Sequence, residues 1–92
     1  MNTTYFLPNN RSTTRDVYRA GFRSGDRILI EGPFRAGEQI DAEIVGARSR
    51  GHAEEPFDAQ TFGATEMIVK TDRGTFRIHL RKINRITKVA AR

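Results

Sequence analysis

From Gly25 onward, the chain consists of short segments in which apolar and polar residues alternate, and glycine-containing turns separate these segments. An alternation of period two places every second side chain on the same face of a sheet, which is typical of half-buried β-strands. Ile, Val and Thr, which favour strands, number 21 against 3 Leu. The 92 residues suffice for one domain with a small core. We therefore expect a single, mainly β domain.

The alternation predicts four strands in two hairpins. The first pair, residues 27–31 and 40–45, flanks a Gly-Pro turn, and the second pair, residues 67–70 and 75–80, flanks an Asp-Arg-Gly turn. Beyond the fourth strand, apolar residues three apart predict one helical turn and a last short strand. Residues 46–65 show neither the strand nor the helix period, and we expect an extended loop there with one helical turn around residues 56–61.

The N-terminal part of the sequence differs in composition and in pattern. Residues 1–12 are polar and contain Pro8, so they are predicted to form a flexible tail, or an arm that orders on contact with a partner. Thr13 and Asp16 have the spacing of a capping box, and Gly21 stands where a short helix would end. The sequence therefore predicts a helix at about residues 14–20.

Five short antiparallel strands in so small a domain favour closure, because a barrel hides edges that the sheet could not otherwise protect. The expected fold class is mainly β: a small SH3-like or Sm-like barrel of about five antiparallel strands with a short N-terminal helix. The expected organisation is a flexible tail over residues 1–12 and one small β-barrel domain over residues 13–92.

Two segments resemble known families. Gly25-Asp26 and the strand after it, followed by Gly32-Pro33-Phe34 and Gly37, resemble the opening of the KOW module of transcription elongation factors and ribosomal proteins. Here Glu38 and Gln39 stand where that family places another glycine before its second strand. The resemblance covers about 13 residues and implies an SH3-like barrel.

The C-terminal hairpin resembles the closing half of Sm-like barrels and of Sm-like Rho-binding antiterminator proteins. The resemblance rests on Gly74 in the turn and on the spacing of Leu80, Ile83 and Ile86. The Asp and Asn that Sm proteins place around bases have no counterpart in residues 46–52, so no base-binding residue is carried over. The antiterminator resemblance implies a protein target.

Positive charge is concentrated at the C-terminus. The chain has a net charge of +5, and 13 of its 16 cations are arginines, whose guanidinium groups pair bidentately with phosphate. Residues 28–69 carry a net charge of −5, whereas residues 70–92 carry +7. Such segregation predicts two surfaces of opposite sign, of which the basic one suits a polyanion.

The sharpest pattern is a ladder of four arginines at every fourth position: Arg73, Arg77, Arg81 and Arg85. In an extended strand this spacing keeps side chains on one face, so Arg77, His79 and Arg81 should point outward. Phe76, Ile78 and Leu80 should then fill the core. The alternative interpretation is that the outward positions of a half-buried sheet are polar in any case and that arginine is the commonest cation of this chain.

Other residues extend this candidate binding surface. Lys70 lies on the paired strand, Arg48 and Arg50 lie in the long loop, and Phe34 at the tip of the Gly-Pro turn could stack on a base. The remaining aromatic candidates for base contact are Tyr5, Phe6, Tyr18, Phe57 and Phe62. Of these, Phe57 or Phe62 is expected to pin the long loop onto the barrel, and Phe22 is expected in the core.

Nothing in the sequence indicates catalysis. The chain has no cysteine, His52 and His79 lack metal-ligand spacing, and no Ser stands in a nucleophile motif, so no catalytic residue, metal or cofactor is assigned. Neither a long apolar segment nor a signal-like start is present, and a cytoplasmic protein is expected.

The hypothesis is a non-enzymatic module that binds RNA or single-stranded DNA through the basic C-terminal hairpin, possible roles being in transcription or RNA regulation. One alternative is an adaptor or inhibitor, such as a phage- or plasmid-type regulator, whose acidic middle docks on a basic nucleic-acid-processing machine. That acidic segment comprises Glu38, Asp41, Glu43, Glu54, Glu55 and Asp58. Another alternative is a homo-oligomeric Sm-like ring formed through edge strands.

Overall fold

A computed structural model describes residues 3–7, 13–32, 39–58 and 64–89, and its main feature is one antiparallel sheet. The elements in chain order are β1 (Thr3–Phe6), α1 (Thr14–Arg19), β2 (Arg27–Glu31), β3 (Gln39–Arg48), β4 (Glu66–Thr71), β5 (Gly74–His79), a 3₁₀ turn (Leu80–Lys82) and β6 (Arg85–Lys88). The six strands are arranged in the order β1-β6-β2-β3-β4-β5. The prediction of a mainly β fold is confirmed, and β1 and β5 form the edges of an open sheet.

The two hairpins have the predicted partners. Glu31 pairs with Gln39 where β2 leads to β3, although residues 33–38 of the intervening turn lie outside the described residues. Thr71 pairs with Gly74 across the turn from β4 to β5, and Gly74 has φ +122°, a backbone conformation that favours glycine. The predicted helical turn and last strand are also confirmed, as the 3₁₀ turn and β6.

The helix α1 begins and ends as its sequence predicts. The backbone N–H of Thr13 donates to the Asp16 carboxylate at 3.0 Å, which completes one half of the capping box. Gly21 follows the helix with φ +106°. Val17 and Phe22 point into the core and are fully buried, so the predicted core position of Phe22 is confirmed.

The core lies on one face of the sheet, between the strands and α1. Cross-strand register places the inward residues of β2, β3 and β6 side by side, since Ile30 is paired with both Ile40 and Ile86. The other large apolar side chains of the core are Ile28, Ile44, Phe57, Met67, Val69, Ile78, Leu80 and Ile83.

The strand β1 lies in the segment 1–12 that the sequence predicts to be a flexible tail, so that prediction is wrong for Thr3–Phe6. Thr3–Phe6 pair with β6, and Leu7 N–H donates to the Asn84 carbonyl at 3.1 Å. Tyr5 packs against the core. Because β1 is an edge strand with only one inward aromatic, its sequence lacks the apolar alternation that identifies the other strands. The rest of that segment lies outside the described residues.

The strand β3 is longer than predicted, because a β-bulge conceals its second half. The register shifts between Ile44 and Gly46, so Val45 is an extra residue and the inward set changes from even to odd positions. The strand therefore continues to Arg48, three residues beyond the predicted end. The loop after β3 is therefore shorter than expected. Residues 59–61, which belong to the helical turn expected in this loop, lie outside the described residues.

The chain after β3 folds back on the strand. Ala47 and Glu55 exchange backbone hydrogen bonds of 2.8 and 2.9 Å, and Phe57 is buried with its ring 6.0 Å from the ring of Tyr18. The prediction that an aromatic residue pins this loop is therefore confirmed for Phe57, whereas Phe62 lies outside the described residues. No helix within the described ranges is long and apolar enough to cross a membrane.

Candidate functional site

Most of the described cations of the predicted surface lie around one groove at the end of β5 where the 3₁₀ turn begins. This groove, called the basic groove below, has a volume of about 650 Å³. It is lined by Arg48, Arg50, Glu66, Arg77, Ile78, His79, Arg81 and Lys82. Five cations and a histidine thus surround a space that contains one carboxylate.

Strand register explains why residues so far apart in sequence line the same groove. Arg48 on β3 is paired with Glu66 on β4, and Glu66 is paired in turn with His79 on β5. Paired residues share a face of the sheet, so these three side chains form a row across three strands. Arg77 lies two residues before His79 on the same face of β5, and its cross-strand partner on β4 is Ile68.

Arg48 is held by the protein itself. Its Nη1 atom lies 3.2 Å from Glu66 Oε1, and its Nε donates to the His52 carbonyl at 2.9 Å. Both side chains of the ion pair are mostly buried, so Arg48 fastens the turn after β3 to β4. That turn contains Gly51 with φ +81° and carries Arg50 beside the groove. Arg48 therefore positions the loop, whereas no carboxylate of the described residues lies within ion-pair distance of Arg50.

Four cations of the groove are available to a ligand: Arg50, Arg77, Arg81 and Lys82. All four side chains are exposed, and no described carboxylate lies within ion-pair distance of any of them. Cations brought together without counter-charge repel one another, and this repulsion is relieved when an anion enters between them.

His79 contributes a neutral imidazole. Its Nδ1 atom accepts a hydrogen bond of 3.3 Å from the backbone N–H of Arg81 and so caps the 3₁₀ turn. Burial lowers the pKa of His79, and the nearby charges of Arg81, Lys82 and Arg50 lower the pKa further, while Glu66 acts in the opposite direction. Burial is thus a larger cause of the lowered pKa than the neighbouring arginines. With Nδ1 accepting, the ring proton is on Nε2, which can donate.

The arginine ladder does not form one continuous surface, because its last member lies elsewhere. Arg85 is on β6, which neighbours β1 and β2, and it forms an ion pair with Glu31. Its guanidinium also lies 5.7 Å from the ring centroid of Phe6. Side chains four residues apart share a face of the sheet only within a single strand. Here the 3₁₀ turn and the start of a new strand separate Arg81 from Arg85.

Two more predicted cations lie outside the basic groove. Lys70 is exposed on β4, where it is paired with Glu43 on one side and Thr75 on the other. Arg73 is in the turn between β4 and β5, and its backbone N–H donates to Thr71 Oγ1 at 3.0 Å. The predicted base-stacking residue Phe34 lies outside the described residues.

A second groove, called the edge groove below, lies toward the other end of β5 and has a volume of about 590 Å³. It is lined by Arg27, Gln39, Ile40, Asp41, Thr71, Asp72, Arg73, Phe76, Arg77 and Ile78. Arg77 and Ile78 line both grooves, so the two lie next to each other along β5. Phe76 is 47% exposed here, and its predicted place in the core is wrong.

The position of β5 at the edge of the sheet explains why Phe76 is not in the core. Phe76 is paired with the buried Val69 and has the predicted inward direction. No described strand lies beyond β5 to cover its ring. A residue at an inward position of a sheet edge can thus stay half exposed.

The acidic middle segment does not form one uninterrupted surface in the part of the chain that the structure describes. Asp41 forms an ion pair of 3.2 Å with Arg27, and Glu43 is flanked by Arg27 and Lys70 across the strands. The exposed acids Glu54, Glu55 and Asp58 follow β3, and Glu38 lies outside the described residues.

Two residues that line the basic groove, Lys82 and Glu66, are not among the predicted site residues. Lys82 follows Arg81 in the predicted helical turn, so its place beside that arginine could have been inferred. Glu66 could not, because only the register between β3, β4 and β5 reveals it. Among the described residues, no three His, Cys, Asp or Glu side chains are grouped so that they could hold a metal ion.

No protein-family model matches this chain, and no curated protein or solved structure is significantly similar to it.

Proposed function

We propose that this protein is a non-enzymatic module that binds single-stranded nucleic acid, RNA or DNA, through the basic groove. The observation that carries the proposal is that Arg50, Arg77, Arg81 and Lys82 line one groove without a described carboxylate partner. Arginine is suited to phosphate because its planar guanidinium donates two parallel hydrogen bonds. The Nε2–H group of His79 adds a neutral donor beside them.

The described helix does not favour reading of a duplex through its major groove. α1 has six residues and contributes the buried Val17 to the core. Recognition helices instead lie in the major groove with several side chains on base edges. A groove on the sheet surface fits a flexible single strand better, because such a strand can follow a curved path between cations.

The finer fold proposal is that the sheet curls toward a small SH3-like or Sm-like barrel. β5 and β6 are separated by three strands in the sheet order, which in a flat sheet would place them about 19 Å apart. The connection over residues 80–84 contains a 3₁₀ turn and reaches roughly 16 Å. Leu80 N–H donates to the Thr65 carbonyl and Asn84 N–H to the Glu31 carbonyl, so the connection bridges β4 and β2. Extents of 30 × 28 × 27 Å also favour a curved sheet.

In this proposal the protein acts in the cytoplasm, in transcription or RNA regulation, by holding single strands without changing them chemically. The test is fluorescence anisotropy with a labelled single-stranded RNA over a series of salt concentrations. Binding should weaken steeply as salt rises, because each neutralised phosphate releases a counterion. Absence of binding at low salt would overturn the proposal.

Matched variants connect this binding to the groove. Arg77→Ser and Arg81→Ser should each weaken binding and reduce the log–log salt slope by about 0.7, the value for one phosphate contact on a single strand. Arg19→Ser is the control, because Arg19 is an exposed arginine on α1 that lines neither groove. Equal effects of all three substitutions would show that net charge, and not the basic groove, determines binding.

A further inference from the structure

The exposed ring of Phe76 is a feature that the basic groove alone does not use. Phe76 lies on the edge strand β5 between Thr75 and Arg77, and it lines the edge groove together with Arg73. Isolated exposed phenylalanines are common on protein surfaces and need no special role. This ring differs in that it lies in a groove that Arg73 and Arg77 also line, with the basic groove adjoining.

The two grooves have different chemistry. The basic groove offers cations without a described carboxylate partner, whereas the edge groove offers the half-exposed ring of Phe76 and the partly buried Ile40 beside polar and charged groups. Among the charged groups of the edge groove, Arg27 and Asp41 are already paired with each other at 3.2 Å. One groove thus suits phosphates and the other suits a flat, partly apolar group.

We infer that the edge groove is a base-binding subsite, in which an unpaired nucleobase stacks on Phe76 while the neighbouring phosphates of the same strand occupy the basic groove. This inference rests on the proposed function and specifies its ligand as a strand with accessible bases. Arg77, which lines both grooves, would contact the backbone between the stacked base and the next phosphates. A duplex does not fit this arrangement, because its bases are stacked and paired internally.

The contribution of such a stacking contact to binding affinity is large enough to measure. Removal of an aromatic ring that stacks on one base weakens binding of single strands by roughly 5- to 150-fold. The effect depends on the presence of bases, since a ring offers nothing to a bare phosphate backbone. Loss of a cation, in contrast, weakens binding to any polyanion of the same charge.

The experiment compares two labelled probes of about 12 nucleotides, a single-stranded DNA and an abasic strand with the same number of phosphates. The wild-type protein should bind the base-bearing strand at least 5-fold more tightly than the abasic strand. Phe76→Ala should abolish this preference while leaving binding to the abasic strand unchanged. Phe76→Leu, which keeps an apolar side chain at this position, should also lose the preference, and it serves as the test if Phe76→Ala does not fold.

Phe6→Ala is the control, because Phe6 is 65% exposed on β1 and lines neither groove. It should leave both affinities unchanged. Equal wild-type affinity for the two probes, or a preference that survives both Phe76 substitutions, would overturn the base-binding subsite alone. Absence of wild-type binding at low salt to both of these probes and to single-stranded RNA would overturn the proposed function, and the subsite with it.

Discussion

His79 caps the 3₁₀ turn that follows it, because its Nδ1 atom accepts a hydrogen bond of 3.3 Å from the backbone N–H of Arg81. The bond requires that Nδ1 carry no proton, so the geometry of the turn and the neutral state of the histidine depend on each other. Protonation would remove the acceptor and add a positive charge between Arg81, Lys82 and Arg50.

The stability of the protein should therefore fall on mild acidification through His79. Its pKa is lowered from the ordinary value of 6.5, so below that pH the unfolded chain binds more protons than the folded chain. The contribution of His79 to stability is complete above the unfolded pKa and is lost as the pH falls through the folded pKa. We expect the free energy of unfolding to decrease between about pH 7.5 and pH 5.

The variant His79→Asn isolates this contribution, because an amide oxygen can accept the Arg81 N–H bond but does not titrate. Urea unfolding of both proteins at the two pH values is the measurement. The wild-type protein should lose more stability than the variant over this interval. Equal losses would show that carboxylates, and not His79, cause the acid sensitivity.

Burial determines what each phenylalanine contributes to stability, and Phe57 and Phe6 form a matched pair. Phe57 is 3% exposed and packs against the Tyr18 ring, whereas Phe6 is 65% exposed. Phe57→Ala should cost about 3–5 kcal/mol of unfolding free energy, because it leaves a cavity beneath the loop after β3. Phe6→Ala should cost less than about 1 kcal/mol, which includes its contact with Arg85. Similar urea midpoints for the two variants would contradict the packing described for this loop.

The fold was predictable from the sequence wherever alternation and turn chemistry agree. Burial alternates along β2, apolar and polar residues alternate along β5, and Gly74 marks the turn that precedes β5. β4 instead contains three consecutive buried apolar residues, so there the turn and the apolar run identify the strand. The prediction failed where a strand lacks that signal. β1 contributes one inward aromatic, and the bulge at Val45 shifts the alternation within β3. A closed barrel stays a prediction, because curvature depends on how the strands twist and on the length of the connection after β5.

The site was predictable along a strand but not between strands. Arg77, His79 and Arg81 line the basic groove as their spacing predicts, and Arg50 joins them through the turn after β3. The register that places these segments together is set by pairings such as Glu66 with His79, which no local pattern encodes. Arg85 shows why sequence spacing alone is not enough. It continues the regular spacing of the arginines, but it lies on β6, which pairs with β1 and β2 and not with β5.

The close approach of the returning loop to Gly46 should make this position intolerant of a side chain. A Cβ atom there would lie 3.0 Å from the Glu55 carbonyl oxygen and 3.5 Å from Ile68 Cδ1. Gly46→Ala should therefore displace the backbone near Glu55 and cost about 1–3 kcal/mol of unfolding free energy. Amide hydrogen exchange should become faster at Ala47 and Glu55, which exchange backbone hydrogen bonds. Unchanged protection of these two amides would mean that the loop does not lie against β3.

Glu66 is the carboxylate that lines the basic groove, and its negative charge opposes the entry of phosphate. Glu66→Gln removes the charge but keeps an oxygen that can accept from Arg48 Nη1, so the turn after β3 should stay fastened. Affinity for single-stranded RNA should rise about 2- to 5-fold at low salt, which corresponds to roughly 0.5–1 kcal/mol. Glu54→Gln is the matched control, because Glu54 is exposed and lines neither groove. Anisotropy titrations in which the two variants bind RNA equally well would place the bound strand away from the basic groove.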